Sequence, residues 1–225
     1  MDRIERNKTE ILRYLGYKNQ EIDSVTNMII EESIDEINYL KKEKYIYRFF
    51  CISKRKGKLL LDNSSLKLIG NDIKKHLNKS ESCVLMAATL GHDVDTKIRY
   101  YEKTNMTKAL ILDACATAAI EEICNRLCKD ISDIIAQDNK KLTSRYSPGY
   151  GDFPLNIQSD FLEVLGAKKF MGLMASSESI LIPRKSVTAI AGIIDIDSKA
   201  EEITCLNCNK YATCNFSKGD ARCGT

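Results

Sequence analysis

The first 42 residues carry a hydrophobic pattern that is typical of helices. Ile22, Val25, Ile29, Ile37 and Leu40 recur at spacings of three, four and eight residues, and acidic and amide side chains separate them. Residues three or four apart lie on one face of an α-helix, so this spacing gathers the apolar side chains into one stripe. The pattern predicts a helical N-terminal segment over residues 1–42.

From residue 43 onward the pattern favours strands. Residues 45–52 are rich in β-branched and aromatic side chains, and two further stretches, Lys58–Leu61 and Leu66–Ile69, flank a polar turn. The apolar run Cys83–Leu90 is typical of a buried strand. Between these strands we expect a short helix from Asn71 to Leu77, with Asn71 as its N-cap.

Residues 106–136 form the longest periodic segment, with alanine, leucine, isoleucine and cysteine on most inward positions. This pattern predicts a long, mostly buried helix. Three acidic residues, Asp113, Glu121 and Glu122, interrupt it. Because successive helical residues point about 100° apart, we expect one of the last two to be exposed.

Residues 144–154 contain Pro148, Gly149, Gly151 and Pro154, and therefore predict an ordered loop of fixed shape. A short helix is expected next, with Ile157, Phe161, Leu162 and Leu165 on its apolar face and Gly166 as its C-cap. Segments 172–175, 179–182 and 186–194 then show strand patterns that we expect to close a sheet.

Helices and strands arrive in blocks and not in regular alternation, which favours an α+β fold. We expect a mainly antiparallel twisted sheet with a long buried helix, a helical N-terminal segment and a Cys-rich C-terminal tail. The predicted boundaries are 1–42 for the helical segment, 43–198 for the main domain and 199–225 for the tail.

Composition narrows the classes of partner. The chain has 225 residues, 44% of them apolar, and its 34 basic and 31 acidic residues give a net charge of +3. So small a net charge predicts neither a nucleic-acid partner nor a membrane partner. The charged N-terminus lacks the apolar region of a secretory signal, so we expect a cytoplasmic protein.

The tail holds four of the nine cysteines, at positions Cys205, Cys208, Cys214 and Cys223. Four thiolates in a segment with little apolar content suit a tetrahedral zinc or an iron–sulfur cluster. The alternative is a disordered tail with ordinary thiols. The two histidines, His76 and His92, are expected in surface or cap positions, and they provide no hydrolytic triad.

The loop also carries candidate binding chemistry. Pro148 and Gly149 suit the two central positions of a type II turn, which require first a fixed φ and then a positive φ. Arg145 and Tyr150 flank this turn. A guanidinium in this place can bind a carboxylate through two parallel hydrogen bonds. The alternative is an arginine that forms a salt bridge within a rigid loop.

The stretch 145–154, Arg-Tyr-Ser-Pro-Gly-Tyr-Gly-Asp-Phe-Pro, resembles the activation (reactivation) domain of vitamin B12-dependent methionine synthase. Ser177-Glu178-Ser179 and the stretch 183–192 downstream fit the order and spacing of the same family. The helix 114–131 is similar to the glutamate-bearing helix of that domain. Residues 12–17 resemble the opening of the stand-alone members of the group. The resemblance spans residues 80–195.

The resemblance implies roles at matching positions. Arg145 would hold the carboxylate of S-adenosylmethionine, and Tyr150 would border the ligand and face the corrin as the catalytic residue. The turn of Ser147, Pro148 and Gly149 would meet the adenosine. Glu121 would pair with the ligand's ammonium or sulfonium, and Asp113, eight residues earlier, is a second acidic candidate on the helix.

The resemblance thus implies a module that supports reductive methylation of cob(II)alamin to methylcobalamin. Its expected partners are a cobalamin-binding methionine synthase without its own activation domain and an electron donor protein. An iron–sulfur cluster in the tail would pass an electron, whereas zinc would only hold the tail together. The competing interpretation is a non-catalytic redox sensor or interaction module that binds S-adenosylmethionine or a corrinoid.

Overall fold

The structure is a computed structural model that describes residues 3–17, 20–55 and 58–198. Its strands are β1 (Lys44–Arg55), β2 (Lys58–Leu61), β3 (Lys67–Leu68), β4 (Ser82–Thr89), β5 (Lys140–Leu142), β6 (Met174–Ala175), β7 (Leu181–Ile182) and β8 (Ser186–Asp195). Its helices are α1 (Arg3–Tyr14), α2 (Ser24–Leu40), α3 (Asn71–His76), α4 (His92–Thr104), α5 (Met106–Ile135), α6 (Gln158–Leu165) and α7 (Ala167–Met171).

Six strands form the main sheet in the order β3-β2-β1-β4-β8-β5, and every paired neighbour runs antiparallel. The central strand β4 is covered on both faces, which explains its continuous apolar run. Val84 and Met86 pack with Leu127 of α5 on one face. Leu85 packs with Phe161 of α6 on the other. The predicted α+β class with a long buried helix is confirmed.

Two helices, α1 and α2, occupy the segment that was predicted to be helical. Their side chains Ile11 and Ile30 are buried in one cluster with Leu112 of α5. Helix α4 packs into the same cluster and was not predicted. Its buried face carries only Val94, Asp95 and Ile98, so its apolar stripe is too weak to stand out from the sequence. None of the described helices is both long and apolar enough to cross a bilayer.

Two local predictions are wrong. Asn71 is not an N-cap, because α3 begins at Asn71 and the Asp152 carboxylate accepts from the backbone N–H groups of Asn71 (2.6 Å) and Asp72 (2.9 Å). A capping carboxylate that comes from a loop far away in the sequence leaves no signal in the residues around the start of the helix. The strands predicted at 172–175 and 179–182 do not extend the main sheet, since β6 and β7 pair only with each other in a small hairpin.

His76 is buried, so the expectation of a surface or cap position is wrong for this residue. Its ring stacks on Tyr146 with a centroid separation of 5.1 Å, and Nε2 lies 3.1 Å from the Thr143 hydroxyl. Burial lowers the pKa of His76 to about 4, and a backbone hydrogen bond with Ser144 opposes this effect. The imidazole is therefore neutral in the folded protein at neutral pH.

Gly192 lies where β8 passes under the end of α3. A Cβ at this position would lie 2.1 Å from the Ser80 Oγ and 3.1 Å from a Leu77 methyl. The Ser80 hydroxyl is itself buried without a hydrogen-bond partner among the described residues. We expect Gly192→Ala to lower the free energy of unfolding by about 1–3 kcal/mol through overpacking.

Urea unfolding measures this effect, and Ser80→Ala supplies the matched test. Ser80→Ala alone should leave stability unchanged or raised, because it removes an unsatisfied buried hydroxyl. Combined with Gly192→Ala, it should recover part of the loss by removing the nearest clashing atom. A double variant as unstable as Gly192→Ala alone would contradict this account of the contact.

The buried His76 also predicts how stability depends on pH. The folded-state pKa lies below the ordinary value of 6.5, so between pH 6.5 and about 4 the unfolded chain takes up a proton that the folded chain does not. Stability should be fully present above pH 6.5 and should fall by on the order of 3 kcal/mol as the pH drops to about 4.

Unfolding titrations at several pH values check this window. His76→Gln should reduce the pH dependence, whereas His92→Gln, at the exposed histidine that begins α4, should keep it. Equal slopes for wild type and His76→Gln would show that other groups cause the acid destabilisation.

Candidate functional site

A cleft opens where pairing along the outer edge of β8 ends. Strand β5 pairs with the end of β8, and Tyr146 forms two backbone hydrogen bonds with Ile190, of 2.8 and 2.9 Å. The chain then turns away from the sheet and leaves the first residues of β8 to line a cleft of about 170 Å³. Its lining residues are Glu121, Arg145, Ser147, Tyr150, Gln158, Leu181, Ser186, Val187 and Thr188.

The turn that borders the cleft has the predicted type II geometry. The Tyr150 N–H donates to the Ser147 carbonyl at 3.1 Å, and Gly149 has a φ of 95°, which a side chain would disfavour. Two further backbone bonds close the loop, from Gly149 N–H to the Phe153 carbonyl and from Phe153 N–H to the Tyr150 carbonyl. The loop is therefore fixed by its own backbone before any ligand binds.

Arg145 reaches from this loop to α5. Its side chain is 8% exposed, and one guanidinium nitrogen donates to Glu121 Oε2 at 2.8 Å while another donates to Asn125 Oδ1 at 2.9 Å. Glu121 is 31% exposed, so the pair has a buried cationic side and a more open anionic side. The sequence left open whether Arg145 binds a ligand or forms an internal salt bridge. The structure shows a salt bridge on the wall of the cleft, and its partner Glu121 lies on α5 and not within the loop.

The surroundings of Arg145 determine its charge and that of the nearby Cys124 at neutral pH. Burial lowers the pKa of Arg145, but the nearby Cys124, Glu121 and Cys128 raise it, and the net pKa lies above the ordinary value. Burial also raises the pKa of Cys124 to about 12. The arginine is therefore a cation and the Cys124 thiol is neutral, which makes Cys124 a packing residue here and not a nucleophile.

Asp113, the second acidic candidate on α5, has a different partner. Lys185 Nζ lies 2.8 Å from Asp113 Oδ1 and donates to the Thr117 hydroxyl at 2.8 Å. Asp113 is not among the residues that line the cleft. Asp95 of α4 accepts from the backbone N–H groups of Arg184 and Lys185, which fixes the entry to β8. Asp113 and Asp95 thus hold the segment that precedes the cleft.

The outer part of the loop is joined to α3. Besides capping that helix, Asp152 donates from its backbone N–H to the Asp72 carboxylate at 3.2 Å. Hydrogen bonds from Asn71 and Asp72 lower the pKa of the Asp152 carboxyl. A Cβ on Gly151 would lie 2.2 Å from an Asp72 carboxylate oxygen, so only glycine permits this approach. Tyr150, two residues away from Asp152, is held at the mouth of the cleft and is 38% exposed.

The structure thus brings together Glu121, Arg145, Ser147 and Tyr150 of the predicted site. Pro148 and Gly149 shape the turn but do not line the cleft. Ser186, Val187 and Thr188 line it and lie within the stretch that carries the family resemblance, although no role was predicted for them. Gln158 and Leu181 were also missed, because nothing in their local sequence separates them from core residues.

The predicted metal ligands Cys205, Cys208, Cys214 and Cys223 lie outside the described residues. Within residues 3–17, 20–55 and 58–198, no group of three or more histidine, cysteine or acidic side chains is placed to hold a metal ion. The tail metal site therefore stays a prediction.

Comparisons with known proteins give a likeness in fold. No protein-family model and no curated protein matches the sequence. Among solved structures, the chain is similar to the MetH reactivation domain crystallised with bound AdoHcy. The match has a TM-score of 0.59 and 13% sequence identity, and it covers 86% of this chain and 74% of the other. At this level of identity the likeness shows that the two proteins share a fold.

Proposed function

We propose that this chain binds S-adenosylmethionine in the cleft beside β8 and supports reductive methylation of cob(II)alamin to methylcobalamin. The cobalamin is held by a partner methionine synthase that lacks its own activation domain. The observation that carries the proposal is the Arg145–Glu121 pair on the wall of a cleft, in a fold shared with a domain crystallised with AdoHcy.

The charges of the cleft fit the amino-acid end of the proposed ligand. That end is a zwitterion, with a carboxylate and an ammonium group a few bonds apart. The guanidinium of Arg145 and the carboxylate of Glu121, 2.8 Å apart, offer the two complementary charges side by side. Charge-assisted hydrogen bonds of this kind are stronger than neutral ones and fix orientation. The apolar Leu181 and Val187 elsewhere in the cleft suit a flat base.

The proposed reaction balances with one external electron. A donor protein supplies one electron, the sulfonium gives up its methyl group, and S-adenosylhomocysteine remains. The partner's cobalamin supplies the cobalt that receives the methyl group. This chain's residues hold the methyl donor in place, and proximity is their main contribution. Tyr150, exposed at the mouth of the cleft beside the turn of Ser147–Gly149, is proposed to form the wall that faces the corrin.

We further propose that the tail cysteines Cys205, Cys208, Cys214 and Cys223 bind zinc or an iron–sulfur cluster. The thiolate-rich composition of that segment supports this part of the proposal.

Replacement of Arg145 tests the ligand site. Arg145→Ala should weaken S-adenosylmethionine binding by roughly 2–3 kcal/mol, the scale of a lost charge-assisted pair, as measured by calorimetry. Arg126→Ala is a matched control, because Arg126 forms a similar pair with Glu43, 2.9 Å long, that does not line the cleft. The control should bind as the wild type does. Equal affinity in Arg145→Ala would remove Arg145 from the site.

Reconstitution tests the mechanism. The protein, S-adenosylmethionine and a reductant, added to a cobalamin-loaded methionine synthase without an activation domain, should convert the cob(II)alamin spectrum to that of methylcobalamin. Tyr150→Ala should slow this conversion more than it weakens S-adenosylmethionine binding, because its proposed contact is with the corrin. Tyr100→Ala, at an exposed tyrosine of α4, serves as the control.

Two outcomes of the reconstitution would count against the proposal. Conversion at the same rate with and without the protein would mean that it is not an activator. Ligand binding without any conversion would favour the alternative of a redox sensor or interaction module.

A further inference from the structure

A buried polar pair lies in the cleft apart from the charged residues. Gln158, the first residue of α6, is 4% exposed, and Thr188 of β8 is 2% exposed. The Thr188 hydroxyl donates to Gln158 Oε1 at 2.7 Å. Both residues line the cleft, and the apolar Leu181, which packs in the same cluster as α6, lines it as well. A buried carboxamide in such surroundings is costly unless its polar atoms find partners.

The hydrogen bond fixes which way the carboxamide points. If the amide were reversed, its nitrogen would donate to the Thr188 hydroxyl, and the hydroxyl proton would need another acceptor. Among the described residues, Gln158 Oε1 is the only acceptor for that proton. Thr188 therefore holds Oε1, and the amide nitrogen Nε2 is left as a donor without a partner in the described part of the chain. Since Gln158 lines the cleft, this donor is available to a ligand.

The position of Gln158 relative to Arg145 determines which part of a bound ligand Gln158 can contact. Helix α5, which carries Glu121, packs on one face of the sheet together with Ala189. Helix α6, which begins at Gln158, packs on the opposite face with Ile190. The cleft wraps around the edge of β8 between these two faces. A long ligand with its zwitterion at the charged pair would therefore extend its other end toward Gln158.

We propose that Gln158 is a specificity-determining residue whose Nε2 donates a hydrogen bond to an acceptor nitrogen of an adenine ring, and that Thr188 is the positioning residue that orients it. This inference rests on the proposed function. A flat ring suits the apolar Leu181, which packs on the same side of the sheet as α6, and its edge presents nitrogen lone pairs that accept from an amide N–H. A single oriented donor distinguishes such a ring from one with a C–H at the same position.

The test combines ligand and protein changes. S-adenosylhomocysteine and its 1-deaza, 3-deaza and 7-deaza analogues, each lacking one ring nitrogen, are titrated by calorimetry. Gln158→Leu should bind S-adenosylhomocysteine roughly 3- to 10-fold more weakly than wild type, the scale of one neutral hydrogen bond. One of the deaza analogues should bind the wild type more weakly than S-adenosylhomocysteine does, by a similar factor. The same analogue should bind Gln158→Leu no more weakly than S-adenosylhomocysteine binds that variant. If Gln158 had only a structural role, the effect of Gln158→Leu on affinity would not depend on which ring nitrogen the ligand lacks.

Three further variants secure the interpretation. Gln137→Leu, at an exposed glutamine after α5, is the control and should bind normally. Thr188→Ser keeps the orienting hydroxyl, so it should lose less affinity than Gln158→Leu does. If Gln158→Leu unfolds because Thr188 loses its partner, the double variant Gln158→Met with Thr188→Val replaces both polar groups and should fold while still showing the loss of affinity.

The outcomes separate this inference from the proposed function. Wild-type binding together with unchanged affinity in Gln158→Leu, or with no discrimination among the deaza analogues, would overturn the role of Gln158 alone. Failure of the wild type to bind S-adenosylhomocysteine would overturn the proposed function and this inference with it.

Discussion

The ion pair between the buried Arg145 and the half-buried Glu121 is the interaction on which the arrangement of the cleft depends. It joins the loop that leaves the sheet to the long helix α5 at 2.8 Å, and Asn125 holds a second edge of the guanidinium. A guanidinium that is 8% exposed is strongly unfavourable without such partners. The loop is therefore held in one position relative to α5 before any ligand arrives.

In the proposed complex, the same pair would determine how a zwitterion is recognised. Any carboxylate that binds Arg145 must share the guanidinium with Glu121 or displace it, and an ammonium group that meets Glu121 compensates the displaced charge. A ligand with only one of the two charges would leave one side of the pair unsatisfied. If the proposed site is correct, the internal salt bridge would favour ligands that bring both charges together, because these restore the hydrogen bonds that binding disrupts.

Close approaches of the backbone also contribute to the rigidity of the loop beside the cleft. Gly149 adopts a φ of 95° in the turn, and Gly151 passes within 2.2 Å, measured from an ideal Cβ, of an Asp72 oxygen. Asp152 and Asp72 then bond reciprocally across the contact between the loop and α3. A preorganised loop loses little conformational entropy on binding, which leaves more of the contact energy for affinity.

Sequence patterns predicted the elements whose signals are local. The long helix α5, the buried strand β4 and the Pro148-Gly149 turn all follow from periodicity or from the φ requirements of two residues. The N-cap of α3 could not be predicted from a local pattern, because the capping carboxylate of Asp152 lies 80 residues away in the sequence. Helix α4 and the buried position of His76 were missed because tertiary packing, not local pattern, buries them. For the site, Arg145 stood out beside a special turn, whereas Gln158 resembles any polar residue at the start of a helix.

The two acidic candidates on α5, Asp113 and Glu121, differ in their partners and in whether they line the cleft. Asp113 and Glu121 lie two turns apart, but Lys185 neutralises Asp113 at 2.8 Å and keeps it out of the cleft lining. Glu121 is then the acidic side chain of the cleft, and Arg145 already shares it. In the proposed complex, S-adenosylmethionine adds one carboxylate and two cationic centres, so the cleft would contain one uncompensated positive charge. After methyl transfer the sulfonium charge is gone and the cleft with its ligand becomes neutral. An environment that compensates the sulfonium incompletely favours the loss of that charge, which is the direction of the proposed reaction.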